Sequence, residues 1–105
     1  TSSRRQRQMC IRDRDEGDWV EYTINIPSAG TYLIEYRLAS AVDSFGFTNT
    51  IGGVVVDTQS LLSTGDWQNW ITQNAEVNLS AGEQLMRLDF LGGAININWI
   101  KLTRR

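Results

Sequence analysis

The stretch WVEYTINIPSAGTYLIEYRL, residues 19–38, decides the fold class of this chain. Within 19–26 every second residue from Val20 onward is apolar, and the same holds over 32–38, with Pro27-Ser28-Ala29-Gly30 between the two runs. A period of two residues is typical of a half-buried β-strand, and a cluster of Pro, Ser and Gly marks a turn. The stretch therefore predicts two strands that each present one apolar face to a core.

The same period continues toward the C-terminus. No window has the spacing of an amphipathic helix. We therefore expect an all-β domain built as a sandwich of short strands. We also expect the turns at 25–30 and 78–82 to join adjacent antiparallel strands. Further short strands are predicted at 46–51, 54–57, 74–79, 86–90 and 95–102, with a hairpin at Gly52-Gly53.

The composition is that of one small domain. The chain has 105 residues, of which 41% are hydrophobic and 21% charged, and this length leaves no room for a second core. It has no His and a single Cys, which excludes a His/Cys zinc site, an intrachain disulfide and a His-containing catalytic triad. No apolar run approaches the roughly 18 residues of a membrane helix, so we expect no membrane partner.

Residues 1–14 differ from the rest of the chain. They carry five of the ten basic residues and one acidic residue, whereas residues 15–105 have a net charge of −6. The net negative charge of residues 15–105 would repel the phosphates of nucleic acid, so no nucleic-acid partner is expected. The string RRQRQMCIRDR in residues 1–14 also resembles the translation of a sequencing adapter. We predict that residues 1–14 are a disordered or non-native basic arm, and that residues 15–105 are the domain.

Tryptophans outside the expected core are the most informative side chains for function. Trp19 shares its strand face with polar residues, among them Glu21, and Trp67 follows the loop-like sequence of 63–66. Trp99 lies among isoleucines, where core packing is expected. An exposed indole either covers a strand edge or offers a flat surface to a ligand. A neutral sugar suits the second interpretation, because its C–H groups stack on an indole and its hydroxyls pair with an amide such as that of Asn96.

The order of several motifs resembles carbohydrate-binding modules of family 6. The resemblance covers residues 15–105 and implies a β-jelly-roll sandwich. It further implies a non-catalytic module, secreted as part of a polysaccharide-degrading enzyme and therefore extracellular. We expect the module to be a monomer. The motifs are Gly17–Tyr22, Ile26–Tyr32, Thr64–Trp70, Val77–Gly82 and Asn96–Lys101.

The resemblance also implies where a sugar would bind. In the family, an aromatic pair among loops at one end of the sandwich clamps a sugar ring above an Asn. Trp67 matches one aromatic residue and Asn96 matches the Asn, whereas the position of the partner Tyr holds Asp13. Some members use a second platform on a sheet face, which Trp19 matches, and we add its neighbour Glu21. The ligand is expected to be a polysaccharide or oligosaccharide of the xylan, β-glucan or agarose class, with specificity set by loops at 40–50 and 92–95.

The beginning of the chain departs from the family pattern. Family members open with strands that contain an acidic segment, which helps to hold a structural calcium ion, and nothing similar precedes Asp15. The resemblance therefore implies that the first strands are missing or replaced by the arm. A calcium site is in doubt. Asp13, Asp15, Glu16 and Asp18 offer oxygen ligands, although a solvated loop is the favoured interpretation.

Two other functional classes fit the composition. A structural or adhesion β-sandwich would bind a protein partner through an exposed apolar patch. An enzyme fragment would need paired carboxylates, for which Asp66, Asp89 and Glu21 are available. The motif order favours the sugar-binding module over both.

Overall fold

The computed structural model describes residues 6–11, for the backbone alone, and residues 19–105. Within these ranges the structure consists of β-strands joined by turns and loops. It contains no helix that is long and apolar enough to cross a membrane. The strands are β1 (Gln6–Ile11), β2 (Trp19–Ile26), β3 (Gly30–Ala39), β4 (Ser44–Ile51), β5 (Val54–Leu61), β6 (Ile71–Leu79), β7 (Gly82–Gly92) and β8 (Asn96–Arg104).

The strands form two four-stranded antiparallel sheets. One sheet has the order β1-β8-β3-β6 and the other the order β2-β7-β4-β5. The all-β class and the jelly-roll sandwich predicted from the sequence are confirmed.

The core lies between the sheets and is filled by the apolar faces that the alternating pattern defines. On β3, for example, Tyr32, Ile34, Tyr36 and Leu38 are all at most 3% exposed. Phe47 of β4 meets the Tyr36 ring edge-on, with 5.0 Å between ring centroids. Burial of each large apolar side chain contributes about 1.5–3 kcal/mol. The two sheets therefore hold together through the residues that the period of two predicted.

A polar cluster interrupts this apolar core at β3, β4 and β5. The Asn49 side-chain amide donates to the Tyr36 hydroxyl at 2.9 Å. That hydroxyl donates in turn to the Asp57 carboxylate at 2.9 Å, which also accepts from Gln59 at 2.8 Å. Burial raises the pKa of Tyr36, and Asp57 raises it further. The Tyr36 hydroxyl therefore stays protonated and acts as both donor and acceptor.

The prediction that the turns at 25–30 and 78–82 join paired strands is wrong. β2 pairs with β7, and β3 pairs with β6 and β8, so both turns carry the chain from one sheet to the other. A turn sequence encodes a reversal of direction but no pairing partner. The apolar faces on either side of each turn meet across the core instead.

Two further features differ from the sequence expectations. Gln6–Ile11, part of the expected arm, forms edge strand β1, paired with β8. Trp99 lies outside the core cluster and is half-buried. Ile97 and Ile100 both point inward although three positions separate them, and the register of β8 against β3 shifts between them. The resulting β-bulge turns Trp99 away from the core.

Candidate functional site

Three loops meet at one end of the sandwich and are tied together by hydrogen bonds. The backbone amide of Thr64 donates to the Ser40 carbonyl at 2.8 Å, and the buried Ser40 hydroxyl lies 2.7 Å from the Ala94 carbonyl. The amide of Ser63 donates to the Asp43 carboxylate at 2.8 Å. The loops after β3, β5 and β7 therefore form one unit, which we call the loop end.

Trp67 sits on a turn of the loop between β5 and β6. The Asp66 carboxylate accepts from the backbone amide of Gln68 at 3.3 Å, and the Asn69 side chain donates to the Thr64 carbonyl. Asx-type bonds of this kind hold a turn without regular secondary structure. The indole of Trp67 is half-buried on this turn.

Asn96, the first residue of β8, lies beneath the Trp67 turn and is only 2% exposed. Its amide nitrogen donates to the Trp67 carbonyl at 2.9 Å, while its side-chain oxygen is buried without a hydrogen-bond partner. An unpaired buried acceptor costs about 1–3 kcal/mol. The structure thus brings the two loop-end residues predicted from the sequence together, and leaves one acceptor of the pair unsatisfied.

The outer face of the β2-β7-β4-β5 sheet carries the other two predicted residues. Trp19 is 50% exposed there, and the guanidinium of Arg87 lies 4.5 Å from the centre of its ring. Arg87 also contacts the carboxylate of Asp89 at 3.0 Å and that of Glu21 at 3.6 Å. The β2–β7 register, in which Trp19 faces Asp89 and Glu21 faces Arg87, assembles this group. We call these four residues the sheet-face cluster.

Arg87 and Asp89 are the members of the sheet-face cluster that the sequence did not assign to a sugar site. The two ion pairs hold the guanidinium of Arg87 beside the indole, and each of these contacts contributes up to about 1 kcal/mol. The alternation of Arg87 and Asp89 along β7 was visible in the sequence. The sequence did not show which strand pairs with β7. The contact between Arg87 and Trp19 depends on that pairing.

The predicted residues before Trp19 lie outside the described residues. They comprise Asp13, at the position of the partner aromatic, and the candidate calcium ligands Asp13, Asp15, Glu16 and Asp18. In the part of the chain that the structure describes, no group of three or more His, Cys, Asp or Glu side chains could hold a metal ion.

A family model described as carbohydrate binding module (family 6) matches residues 1–104. The chain belongs to this family. As a family 6 module it is a non-catalytic carbohydrate-binding domain, which sets aside the interpretation as an enzyme fragment.

Solved structures of other family 6 modules have the same fold. The C-terminal module of LamC, a marine laminarinase from Zobellia galactanivorans, is 46% identical with a TM-score of 0.81, over 86% of this chain and 75% of that one. The module CBM6cm-2 of Cellvibrio mixtus lichenase 5A, solved with cellotriose, is 35% identical with a TM-score of 0.74, over 100% of this chain and 91% of that one.

Full-length relatives are much longer than this family 6 module. The clotting factor G alpha subunit of Tachypleus tridentatus is 38% identical over 97 residues, which are 90% of this chain and 14% of that protein. The chain therefore spans about one seventh of the length of that relative.

Proposed function

We propose that this family 6 module binds a neutral polysaccharide at the loop end, where a pyranose ring stacks on Trp67 and Asn96 orients its hydroxyls. The observation that supports this proposal is the unpaired side-chain oxygen of Asn96, buried next to the turn that carries Trp67. A sugar hydroxyl that donates to this oxygen would satisfy it. Since the oxygen is covered in the free module, the ligand has to displace the covering atoms to reach it.

Each of the two side chains has a separate task in this proposal. The indole supplies apolar area at a small entropic cost, because only two side-chain dihedrals need to be fixed. Asn96 positions the backbone of the Trp67 turn, and with it the indole, because its amide nitrogen donates to the Trp67 carbonyl at 2.9 Å. Stacking supplies affinity, and the acceptor selects the orientation of the ring.

We propose the sheet-face cluster as a second sugar platform. Trp19 is half exposed, and the carboxylates of Glu21 and Asp89 are acceptors for sugar hydroxyls. Arg87 neutralises part of their charge, which suits a neutral ligand. Glu21 acts in this proposal both as a hydroxyl acceptor and as an anchor for Arg87.

The proposed ligand class is xylan, β-glucan or agarose, and β-glucans are the first to test. Two similar modules support this order, since one belongs to a laminarinase and the other was solved with cellotriose. We further propose that the module is monomeric, extracellular and appended to a glycoside hydrolase. Attachment to the polysaccharide would raise the effective concentration of the enzyme at its substrate.

The test is native affinity electrophoresis through gels that contain laminarin, xylan, a soluble cellulose derivative or agarose, each beside a polysaccharide-free gel. We expect retardation of the wild-type module in at least one gel. Trp67→Ala should lose most of it, and Trp19→Ala part of it. Leu85→Ala is the matched control, because Leu85 is an apolar side chain that is 52% exposed and pairs with Thr23, four residues along β2 from Trp19.

Two outcomes would contradict the proposal. Full retardation of folded Trp67→Ala would remove the loop end from the binding site. Uniform mobility of the folded wild-type module in every gel would favour a structural or adhesion domain that binds a protein partner.

A further inference from the structure

Phe45 is an aromatic side chain that the structure holds out in solvent. It is 73% exposed, although both neighbours along the chain, Ser44 and Gly46, are buried. Between Ser44 and Phe47 the register of β4 against β5 shifts, so that Phe45 and Gly46 together oppose Ser60. Such a β-bulge redirects a side chain, and bulges are frequent next to functional sites.

The backbone on both sides of Phe45 is fixed. The Ser44 hydroxyl lies 2.8 Å from the Gly93 carbonyl and accepts from the backbone amide of Gly46 at 2.9 Å. Gly46 has a φ of +79°, and a Cβ there would lie 1.7 Å from the Gln59 carbonyl oxygen. Position 46 therefore requires glycine, and the phenyl ring is presented from a rigid frame rather than from a loose loop.

The bulge between Ser44 and Phe47 leaves Phe45 exposed on the outer face of the sheet, as Trp19 is, and the strand register places both at the same end. Trp19 faces Asp89 on β7, and Asp89 faces Thr48, three residues along β4 from Phe45. Because β2 and β4 both flank β7, the two strands are about 10 Å apart, and the three residues from Thr48 to Phe45 add up to about 10 Å along the strand. Several linked sugar rings can bridge such a separation, so that one chain can reach both aromatic side chains.

Among the described residues, exposed aliphatic side chains and one hydrogen-bonded carboxylate lie close to Phe45 along the chain and in the strand order. Leu91 is exposed on β7 and Leu62 in the loop directly after β5, and Asp43 accepts from the amide of Ser63. A flat phenyl ring among aliphatic side chains offers apolar contact and no charge to complement. This chemistry matches the C–H face of a neutral pyranose ring.

We propose that Phe45 is an additional sugar-stacking residue, which extends the Trp19 platform across the sheet so that two rings of one neutral polysaccharide chain are held together. The proposal rests on the proposed sugar-binding function. It predicts a preference for longer oligosaccharides, because a short one reaches Trp19 alone. A second contact on one chain adds affinity through effective concentration.

The test compares folded wild type, Phe45→Ala, Phe45→Trp and the Leu85→Ala control. Binding is measured in the gel that retards the wild-type module, and by calorimetry with a series of oligosaccharides of increasing length from the same polysaccharide. Phe45→Ala should weaken binding of the longer oligosaccharides roughly threefold to tenfold, as expected for one stacking contact, and leave the shortest unaffected. Phe45→Trp should retain the length preference, and Leu85→Ala should bind as the wild type does.

The outcomes separate this inference from the function on which it rests. If the wild-type module binds, and Phe45→Ala binds every oligosaccharide as tightly as the wild type does, Phe45 is not a stacking residue and the proposed function stands. If Phe45→Ala changes only the sedimentation coefficient at high protein concentration, the ring belongs to an interface between protein chains and this inference is overturned. If the folded wild-type module is retarded in no gel, the proposed function fails and the inference fails with it.

Discussion

Two buried asparagines, Asn49 and Asn96, have almost the same local description. They are 0% and 2% exposed, and each donates one hydrogen bond at 2.9 Å through its amide nitrogen. Each also keeps a buried side-chain oxygen without a partner. Their surroundings differ, because Asn49 lies between the sheets and Asn96 lies under a loop.

The difference lies in what each amide holds in place. Asn49 donates to the Tyr36 hydroxyl, which donates on to Asp57, so its cluster links β3, β4 and β5 across the core. Asn96 donates to the carbonyl of Trp67, a residue of a loop. An unpaired buried oxygen therefore does not by itself indicate a binding site. Its position relative to a side chain that a ligand can reach decides the interpretation, and substitutions at the two asparagines and at Tyr36 test this distinction.

The largest expected effect is on stability and belongs to the core cluster. Tyr36→Phe removes the hydroxyl that Asn49 and Asp57 share, which should lower the free energy of unfolding by about 2–3 kcal/mol. Urea unfolding measures this change, and sugar retention in affinity gels should stay at the wild-type level. Tyr32→Phe is the matched control, because the equally buried Tyr32 donates only to the Ser28 carbonyl. Equal losses in the two variants would show that the cluster adds nothing beyond one hydrogen bond.

A smaller effect on stability, combined with a large one on binding, is expected at the loop end. Asn96→Ala leaves the Trp67 carbonyl without its donor, and we expect a loss of about 1–2 kcal/mol. Affinity electrophoresis should show little retardation, because the turn is no longer held and the proposed hydroxyl acceptor is gone. Asn49→Ala should show the opposite pattern, with weakened stability and retained binding. The same loss of retention in both folded variants would refute the distinction between the two asparagines.

The smallest expected effect appears only in alkaline solution. Burial raises the pKa of Tyr36 in the folded protein, whereas in the unfolded chain a tyrosine titrates near 10. Above that pH the unfolded chain releases this proton and the folded protein keeps it. The free energy of unfolding should then fall by up to about 1.4 kcal/mol per pH unit for this group. Below that pH the group causes no change.

Unfolding curves recorded from neutral to alkaline pH test this linkage. Tyr36→Phe should lose the Tyr36 contribution to the alkaline slope, while Asn96→Ala should retain it. A slope that is unchanged in Tyr36→Phe would mean that Tyr36 titrates normally in the folded protein.

Most of the fold could be predicted from the sequence, because alternation is a local property. The run at 19–26 gave β2 with its observed bounds, and Gly52-Gly53 forms the predicted hairpin between β4 and β5. The pairing of strands was not accessible in the same way. Two turns that were expected to join neighbours in one sheet connect the two sheets instead.

The residues of the candidate site likewise fall into those that could be predicted from the sequence and those that depend on strand pairing. Trp67, Asn96, Trp19 and Glu21 were chosen from the sequence, by residue type and by motif order. Arg87 and Phe45 were not chosen. Arg87 reaches Trp19 only because β7 lies beside β2, and Phe45 is turned outward by a bulge whose register is set by two neighbouring strands.

The sequence by itself determined β2 to β8, most of the faces that these strands bury and the family, because the period of two and the motifs depend on residues that are close together in the chain. The tertiary structure decided which strands are neighbours, which tryptophan receives a guanidinium and which asparagine lies under a loop. These depend on residues far apart in the chain that packing brings together. Because the unfolded chain offers many pairings of similar local quality, only the complete core selects one of them.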